Sequence, residues 1–169
     1  MKLLKLALLT LVAAFCMQAR AQRTPVPVVD FANIPVAQSA AKALTADQVR
    51  DAIGRAAAAQ SWTVSQVGEG ELEARFVKNA KHTVVVAIRY DATRYAVAYK
   101  DSIDMKFEER SLQMDTQLYR SAAQKQKEQF VTDPLTAYAV VRRDALLHPF
   151  YERWVRQLLA GIGAQLGTA

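Results

Sequence analysis

The stretch that decides the fold is residues 71–101, ELEARFVKNAKHTVVVAIRYDATRYAVAYKD. Residues 71–76 alternate charged and apolar side chains, which is the period of two expected of a strand with one wet face. Residues 82–90 are rich in β-branched side chains, and residues 95–101 follow after a second turn. Because 79–81 and 91–94 carry turn-forming residues, the strands are predicted to form an antiparallel meander.

The same alternation assigns side chains to two faces. The face predicted to meet the helices comprises Leu72, Ala74, Phe76, Val84, Val86, Ile88, Tyr90, Tyr95, Val97 and Tyr99. The opposite face is small and apolar, with Val85, Ala87, Ala96 and Ala98 bordered by Arg75, Arg89 and Lys100. We expect this second face to be covered, either by residues 108–146 of the same chain or by a second chain.

Working outward, residues 62–67 predict one more strand, closed by Gly68 and Gly70. Before it, Thr45 and Gln48 form a capping box, and apolar spacing predicts a helix over 45–60. A last helix begins at Pro149 with an apolar face of Tyr151, Trp154, Val155, Leu158, Leu159, Ile162 and Leu166. Its other face carries Glu152, Arg153 and Arg156, which we expect in solvent.

The remaining mature chain is less regular. Residues 22–44 contain Pro25, Pro27 and Pro35 and are interpreted as a leader or linker. Residues 108–131 are polar apart from Leu112, Leu118, Tyr119 and Ala122 and predict a solvent-facing helix. Asp133 followed by Pro134 is typical of the start of a new helical segment. Residues 135–147 are either a strand or a helix. The prediction is an α+β domain over 45–169: a three- to four-stranded antiparallel meander, N- and C-terminal helices on one face, and a helical insertion at about 108–146.

The first 21 residues are typical of a secretory signal. Lys2 and Lys5 precede an uncharged run over 6–16, and residues 19–21 offer a small-x-small cleavage pattern. The run is about half the length of a bilayer span. The bulky Phe15 before Cys16 argues against lipid attachment at that cysteine. The sequence therefore predicts a periplasmic or secreted protein, cleaved near Ala21, with no transmembrane span in the mature chain.

Charge and cysteine content exclude several classes of function. The chain has 22 basic and 16 acidic residues, and removal of residues 1–21 lowers the net charge from +6 to +3. This field is too weak to indicate nucleic-acid binding. The one cysteine, Cys16, lies in the signal segment, so disulfides, a cysteine nucleophile and cysteine-based zinc sites are excluded after cleavage.

Motifs that would indicate catalysis are missing. Neither a phosphate-binding loop nor a nucleophile elbow nor a paired-histidine zinc motif is present, so no cofactor or enzymatic activity is predicted. His82 is interpreted as a polar residue at a hairpin end. Asp101, Asp104, His148 and Glu152 could in principle bind a divalent metal. The structural alternative is favoured, in which the acids form turns and His148 caps the last helix or packs against Tyr99.

One end of the sheet carries the residues of a candidate ligand or partner site. Its candidate contacts are Tyr99, Asp101, Ser102, His148, Tyr151 and Trp154. Aromatic side chains with polar groups are favoured where a partner or sugar ring is bound. At this helical and strand spacing, however, a place of Tyr99, Tyr151 and Trp154 in the core is the favoured interpretation. Arg142, Arg143, Lys125 and Lys127 are interpreted as solvated charges, with contact to an anionic lipid or polymer as the alternative.

Three stretches carry a family resemblance: TADQVRDAIGRAAAAQSWTVSQVGEGELEARF, IRYDATRYAVAYKDSIDMKF and LHPFYERWVRQLLAGI. Together they resemble a family of small uncharacterised exported proteins and lipoproteins of proteobacteria. Signature positions of that pattern fall on Tyr95, Tyr99, Asp101, Ser102, His148, Tyr151 and Trp154. The resemblance implies a layered α-β-β-β-α domain and supplies no catalytic residue. Glu152 departs from the family's asparagine, and residues 108–146 stand as an insertion.

Two functions follow as hypotheses. The first is a non-enzymatic periplasmic domain for protein interaction or envelope maintenance, whose partner is an unknown envelope protein or a second copy. The second is a small-ligand or glycan-binding module that uses the end of the sheet near Tyr99, Asp101, His148 and Trp154.

Overall fold

The computed structural model describes residues 24–36, 43–109 and 116–167. The predicted signal segment with Cys16, and Leu112 of the polar helix, lie outside the described residues, as do the side chains of Leu118, Tyr119 and Ala122. Among the described helices, none has the length and apolar content needed to cross a bilayer.

Helices and a large sheet make up the described fold. The strands are β1 (Val26–Pro35), β2 (Trp62–Gly68), β3 (Glu71–Lys78), β4 (His82–Tyr90), β5 (Arg94–Ile103), β6 (Glu108–Glu109) and β7 (Ala139–Leu147). The helices are α1 (Ala46–Ala59), α2 (Thr116–Gln129) and α3 (Phe150–Gly167), with a 3₁₀ turn at Pro134–Tyr138. All strand pairs are antiparallel, in the order β2-β3-β4-β5-β1-β7-β6.

The α+β class is confirmed, and the sheet is larger than predicted. The four predicted strands are present as β2 to β5 and pair consecutively. Three further strands extend the sheet beyond β5, so it has seven strands rather than three or four. A meander is therefore one part of the sheet and not the whole of it.

The predicted leader is wrong for residues 26–35, which form β1 between β5 and β7. Val28, Val29 and Phe31 are at most 1% exposed. The sequence did not indicate this strand, because its prolines are typical of a linker. Pro27 lies beside a register shift and Pro35 is the last strand residue, two positions where a missing N–H is tolerated.

The predicted assignment of faces agrees with the register and the burial. Leu72 pairs with Ile88, which pairs with Val97, and all three lie in the core. Phe76, Tyr90 and Tyr99 are partly buried and pack against that core. Helices α1 and α3 supply its other side, through buried residues such as Ile53 and Ile162.

Helix α1 begins as its sequence predicts. The Oγ1 of Thr45 accepts a hydrogen bond from the Gln48 backbone N–H at 3.3 Å, and the Gln48 Oε1 accepts from the Thr45 N–H at 2.9 Å. This capping box satisfies two N–H groups that would otherwise lack partners at the start of the helix.

Residues 108–109 and 116–146, within the segment interpreted as an insertion, contribute strands and a helix to the described fold. Residues 139–147, left open between strand and helix, form β7 beside β1, and the 3₁₀ turn precedes them. Helix α2 lies against β1 and lines a cavity with Glu152 and Arg156 of α3. It therefore extends the helical layer and does not cover the Val85 and Ala98 face. On that face the ion pair Glu73–Lys100, with N and O at 2.6 Å, lies beside the small side chains.

Candidate functional site

The six predicted site residues divide into two groups in the structure. In the first, the Tyr99 Oη lies 3.0 Å from the Ser102 Oγ. The Tyr99 ring meets the edge of the Tyr151 ring at 5.6 Å between centroids and stacks on Phe107 at 5.2 Å. Asp101 is exposed, and its Oδ1 accepts a hydrogen bond from the Ser102 N–H at 2.7 Å. Asp101 thus forms a local side-chain-to-backbone bond.

The second group surrounds the beginning of α3. The Nδ1 of His148 accepts a hydrogen bond from the Phe150 N–H at 3.2 Å, so the imidazole caps the helix. Aromatic contacts continue from His148 to Phe150, on to Trp154 and then to Phe76, with centroids 4.7–5.7 Å apart. Trp154 also lines a groove of about 650 Å³. These rings chiefly attach α3 to the sheet, in line with the core interpretation.

An acidic residue that the sequence did not single out lies next to the first group. Asp30 of β1 accepts a hydrogen bond from the Tyr99 N–H at 2.8 Å, just beyond the Phe31–Val97 pair where β1 and β5 separate. Burial raises the pKa of the Asp30 carboxyl above its usual range, against the lowering effects of that N–H group and of Arg142. Asp30 is absent from the predicted site because residues 22–44 were interpreted as a leader or linker.

Both tyrosines of the first group remain protonated. Burial raises the pKa of Tyr99, and it raises the pKa of Tyr151 further, where the charge of Asp30 acts in the same direction. The Oη of Tyr151 is fully buried and has no hydrogen-bond partner among the described residues. A phenol with a raised pKa is a poor general base at neutral pH. The cluster is therefore suited to packing and hydrogen bonding, not to proton abstraction.

We expect Asp30→Asn to stabilise the fold at neutral pH, because the amide still accepts the Tyr99 hydrogen bond and carries no charge into the interior. A raised folded-state pKa means that the native state binds the Asp30 proton more tightly than the unfolded state does. Stability from this group is thus present at low pH and is lost as the pH rises through the folded-state pKa. Urea unfolding should show a higher midpoint for Asp30→Asn at pH 7 and no advantage near pH 3. Equal effects at both pH values would contradict this.

A buried ion cluster connects α3 to the segment after α2. Arg156 donates from Nη2 and Nε to the Glu152 Oε1, at 2.7 and 2.9 Å, and from Nη1 to the Asp133 Oδ2 at 2.9 Å. Its guanidinium carbon lies 4.9 Å from the Phe31 ring centroid and 4.3 Å from that of Phe130.

The solvent-facing prediction is wrong for two residues of α3. Glu152 is 3% exposed and Arg156 is 6% exposed, whereas Arg153 is exposed as expected. A spacing of four residues is typical of ion pairs on the surface of a helix and of buried ones alike. The spacing therefore did not indicate that residues 130–138 pack over this pair.

Next to this cluster lies a cavity of about 880 Å³ between α2 and the sheet. One face of α2 lines it at the helical spacing of positions 120, 123, 124 and 127. Opposite are apolar side chains of β1 and β7: Val29, Ala139 and Val141. Among the described lining residues three are cations, Arg120, Lys127 and Arg156, and one, Glu152, is a carboxylate. The cavity thus combines an apolar wall with a positive one.

The structure does not gather the four residues considered for a metal. Glu152 bonds to Arg156, and the Asp104 backbone oxygen lies 2.8 Å from the Nδ1 of His82. Within the part of the chain that the structure describes, no three His, Cys, Asp or Glu side chains form a group that could hold a metal ion.

No family model, curated protein or solved structure matches the chain. The resemblance noted from the sequence therefore stays a prediction, and the function must be argued from the geometry of the chain itself.

Proposed function

We propose that the chain is an exported, non-enzymatic binding domain that holds an anionic amphiphile in the cavity between α2 and the sheet. Export is supported by the charged start, apolar run and small-x-small pattern of residues 1–21. The observation that carries the binding proposal is the two-sided lining of the cavity. The volume of about 880 Å³ is in the range of small-molecule sites, and the described lining has four apolar and seven polar or charged residues.

The apolar wall fits the body of such a ligand. Val29 and Val141 are paired neighbours on β1 and β7, and Ala139 lies two residues along the same strand. Val29 is already buried, whereas Ala139 and Val141 are partly exposed. A hydrocarbon chain lying along Ala139 and Val141 would remove their remaining surface and its own from water, which favours binding at about 25 cal/mol per Å² of apolar area.

The positive wall fits its head group. Arg120 and Lys127 are seven residues apart on α2, which separates them by about 10 Å along the helix axis. Both belong to one lining face, with Gln124 between them. A carboxylate or phosphate monoester could approach either cation while the apolar part faces the sheet.

The contacts of Arg156, the third cation of the cavity lining, support the non-enzymatic part of the proposal. Arg156 is held by Glu152 and Asp133 and is enclosed by two phenylalanine rings. A charge fixed in this way stabilises the floor of the cavity and is not available to move a proton. Binding, not turnover, is the activity that this arrangement supports.

The test is calorimetric titration of the purified protein with decanoate and, as the uncharged probe of equal chain length, 1-decanol. We expect saturable binding of decanoate and weaker binding of decanol. Arg120→Gln and Lys127→Gln should each lower the affinity for decanoate about two- to fivefold, as expected for partly exposed charge pairs. Decanol binding should not respond to either change, and added salt should weaken only the anion.

Lys125→Gln is the matched control, because it removes a charge from exposed helix surface outside the cavity lining. It should leave both affinities unchanged. Equal affinity for decanoate and decanol, an equal loss on Lys125→Gln, or no saturable binding at all would each contradict the proposal.

Protein interaction or envelope maintenance is the second proposed role, with an envelope protein or a second copy as partner. The β2 edge of the sheet favours it, since β2 pairs with β3 alone among the described strands.

A further inference from the structure

Both tryptophans of the chain line one groove, which is separate from the cavity between α2 and the sheet. Trp62 is the first residue of β2, and Trp154 lies on α3. The volume of the groove is about 650 Å³, within the range of small-molecule sites. None of its described lining residues lines the cavity. The groove is therefore a second place in the fold where a ligand can bind.

Three aromatic rings line this groove. The Trp62 ring stacks on the Phe76 ring with centroids 5.1 Å apart, and Phe76 meets the Trp154 ring in an edge contact, also at 5.1 Å. Trp62 is buried, whereas Phe76 and Trp154 keep part of their surface exposed. Rings that are already fixed by one another lose little freedom when a ligand packs on them. The exposed aromatic surface favours a ligand with a flat apolar face.

Uncharged polar side chains line the groove beside these rings. They are the amides of Gln60, Asn79 and Gln157 and the hydroxyl of Ser61. Apart from one bond donated by Gln60, these side chains make no hydrogen bond within the described chain. Amide and hydroxyl groups both donate and accept hydrogen bonds, as the hydroxyl groups of a ligand do. The groove thus combines aromatic surface with partners for hydroxyl groups.

The Gln60 amide is held in position by α3. Its Nε2 donates to the Gln157 backbone oxygen at 3.0 Å. A Cβ at Gly161 would overlap this nitrogen, so the glycine leaves the space that the amide occupies. A polar group fixed in this way binds a ligand at a lower entropic cost than a mobile one.

The charge of the lining favours an uncharged ligand. Among the described lining residues the one charged side chain is that of Lys78, which is exposed, and none is a carboxylate. We propose that the groove binds a pyranose ring of an uncharged saccharide. The C–H groups on one face of the ring pack on Phe76 and Trp154, and its hydroxyl groups bond to the amides. This ligand differs in chemistry and in place from the amphiphile of the cavity.

The test is titration of the purified protein with cellotetraose, followed by tryptophan fluorescence. Because both tryptophans line the groove, the signal comes from this site. We expect a saturable change that added salt does not weaken, since no ion pair is involved. Mannitol carries hydroxyl groups but has no ring face, so it should cause no saturable change.

Two variants keep both tryptophans and change the polar groups. Gln157→Ala removes one amide, and Gly161→Ala displaces the Gln60 amide. Each should weaken cellotetraose binding about two- to tenfold, as for the loss of one hydrogen bond. Alanine is a better helix former than either residue it replaces, so both variants should stay folded, which circular dichroism checks.

Gln129→Ala is the matched control, because it removes an exposed amide of α2 outside the groove lining. It should leave the affinity unchanged. The proposal is overturned if cellotetraose causes no saturable change, if mannitol acts equally, or if Gln157→Ala weakens binding no more than Gln129→Ala does.

Discussion

Replacing Arg156 with methionine is expected to lower the free energy of unfolding by about 3–5 kcal/mol, as for the loss of one partner from a buried ion pair. The change leaves Glu152, which is 3% exposed, without the guanidinium that compensates its charge. It also removes the contact with Asp133 and the cation between the two phenylalanine rings. Equilibrium unfolding in urea measures the loss.

A second variant separates the charge effect from the packing effect. In Glu152→Gln/Arg156→Met no ionised carboxylate is left in the pair, so most of the lost stability should return. Arg153→Met is the control, because this side chain is exposed on the same helix, and it should change stability by about 0.5 kcal/mol or less. If Arg156→Met were as mild as Arg153→Met, the cluster would not stabilise the fold.

Phe31→Ala is expected to cost about 3–5 kcal/mol, the range for truncating a buried phenylalanine. Phe31 is 1% exposed at the middle of β1 and pairs with Val97 on one side and Ala139 on the other. Its ring also faces the Arg156 guanidinium. The same urea experiment would show the loss, with a lower midpoint.

Pro35→Ala is the control within the same strand, because Pro35 is exposed at the strand end. It should cost about 1 kcal/mol or less, chiefly through the greater freedom of the unfolded chain. A flexible leader would tolerate both changes equally. Phe31→Ala therefore tests directly whether residues 26–35 belong to the folded domain.

Sequence periodicity predicted the part of the fold in which local signals agree. From β2 to β5, alternation, β-branched residues and turns all indicate the same strands, and short connections make consecutive strands neighbours. The capping box at Thr45 likewise fixed the start of α1 within one residue. These features depend on residues close together in the chain.

What the sequence could not show depends on distant contacts. Strand β1 has no partner near it in sequence, and its prolines are typical of a linker until the register places them at a bulge and at a strand end. Glu152 and Arg156 have the spacing of a surface ion pair. Contacts with Phe31 of β1 and with Phe130 and Asp133 of the segment after α2 make them part of the interior.

The sequence predicted the types of residue in the candidate site better than the segments that form it. The helical and strand spacing of Tyr99, Tyr151 and Trp154 favours a place in the core, and these residues are partly or fully buried. The cavity is assembled from β1, α2, β7 and α3, and two of these segments had been interpreted as leader and insertion. Lys127, for which contact with an anionic lipid or polymer is the alternative to a solvated charge, lines the cavity.

The position of β1 in the chain affects the order in which the sheet can fold. Phe31 lies 66 residues before its partner Val97 and 108 residues before its partner Ala139. Of the described strands, the ribosome thus makes β1, an interior strand of the sheet, first and its second neighbour β7 near the end of synthesis. Pairing across such separations closes large loops and slows folding. Until β7 is made, the backbone groups on one side of the apolar strand β1 have no partner strand. Rapid synthesis, or a chaperone that binds residues 26–35, should therefore raise the yield of native protein.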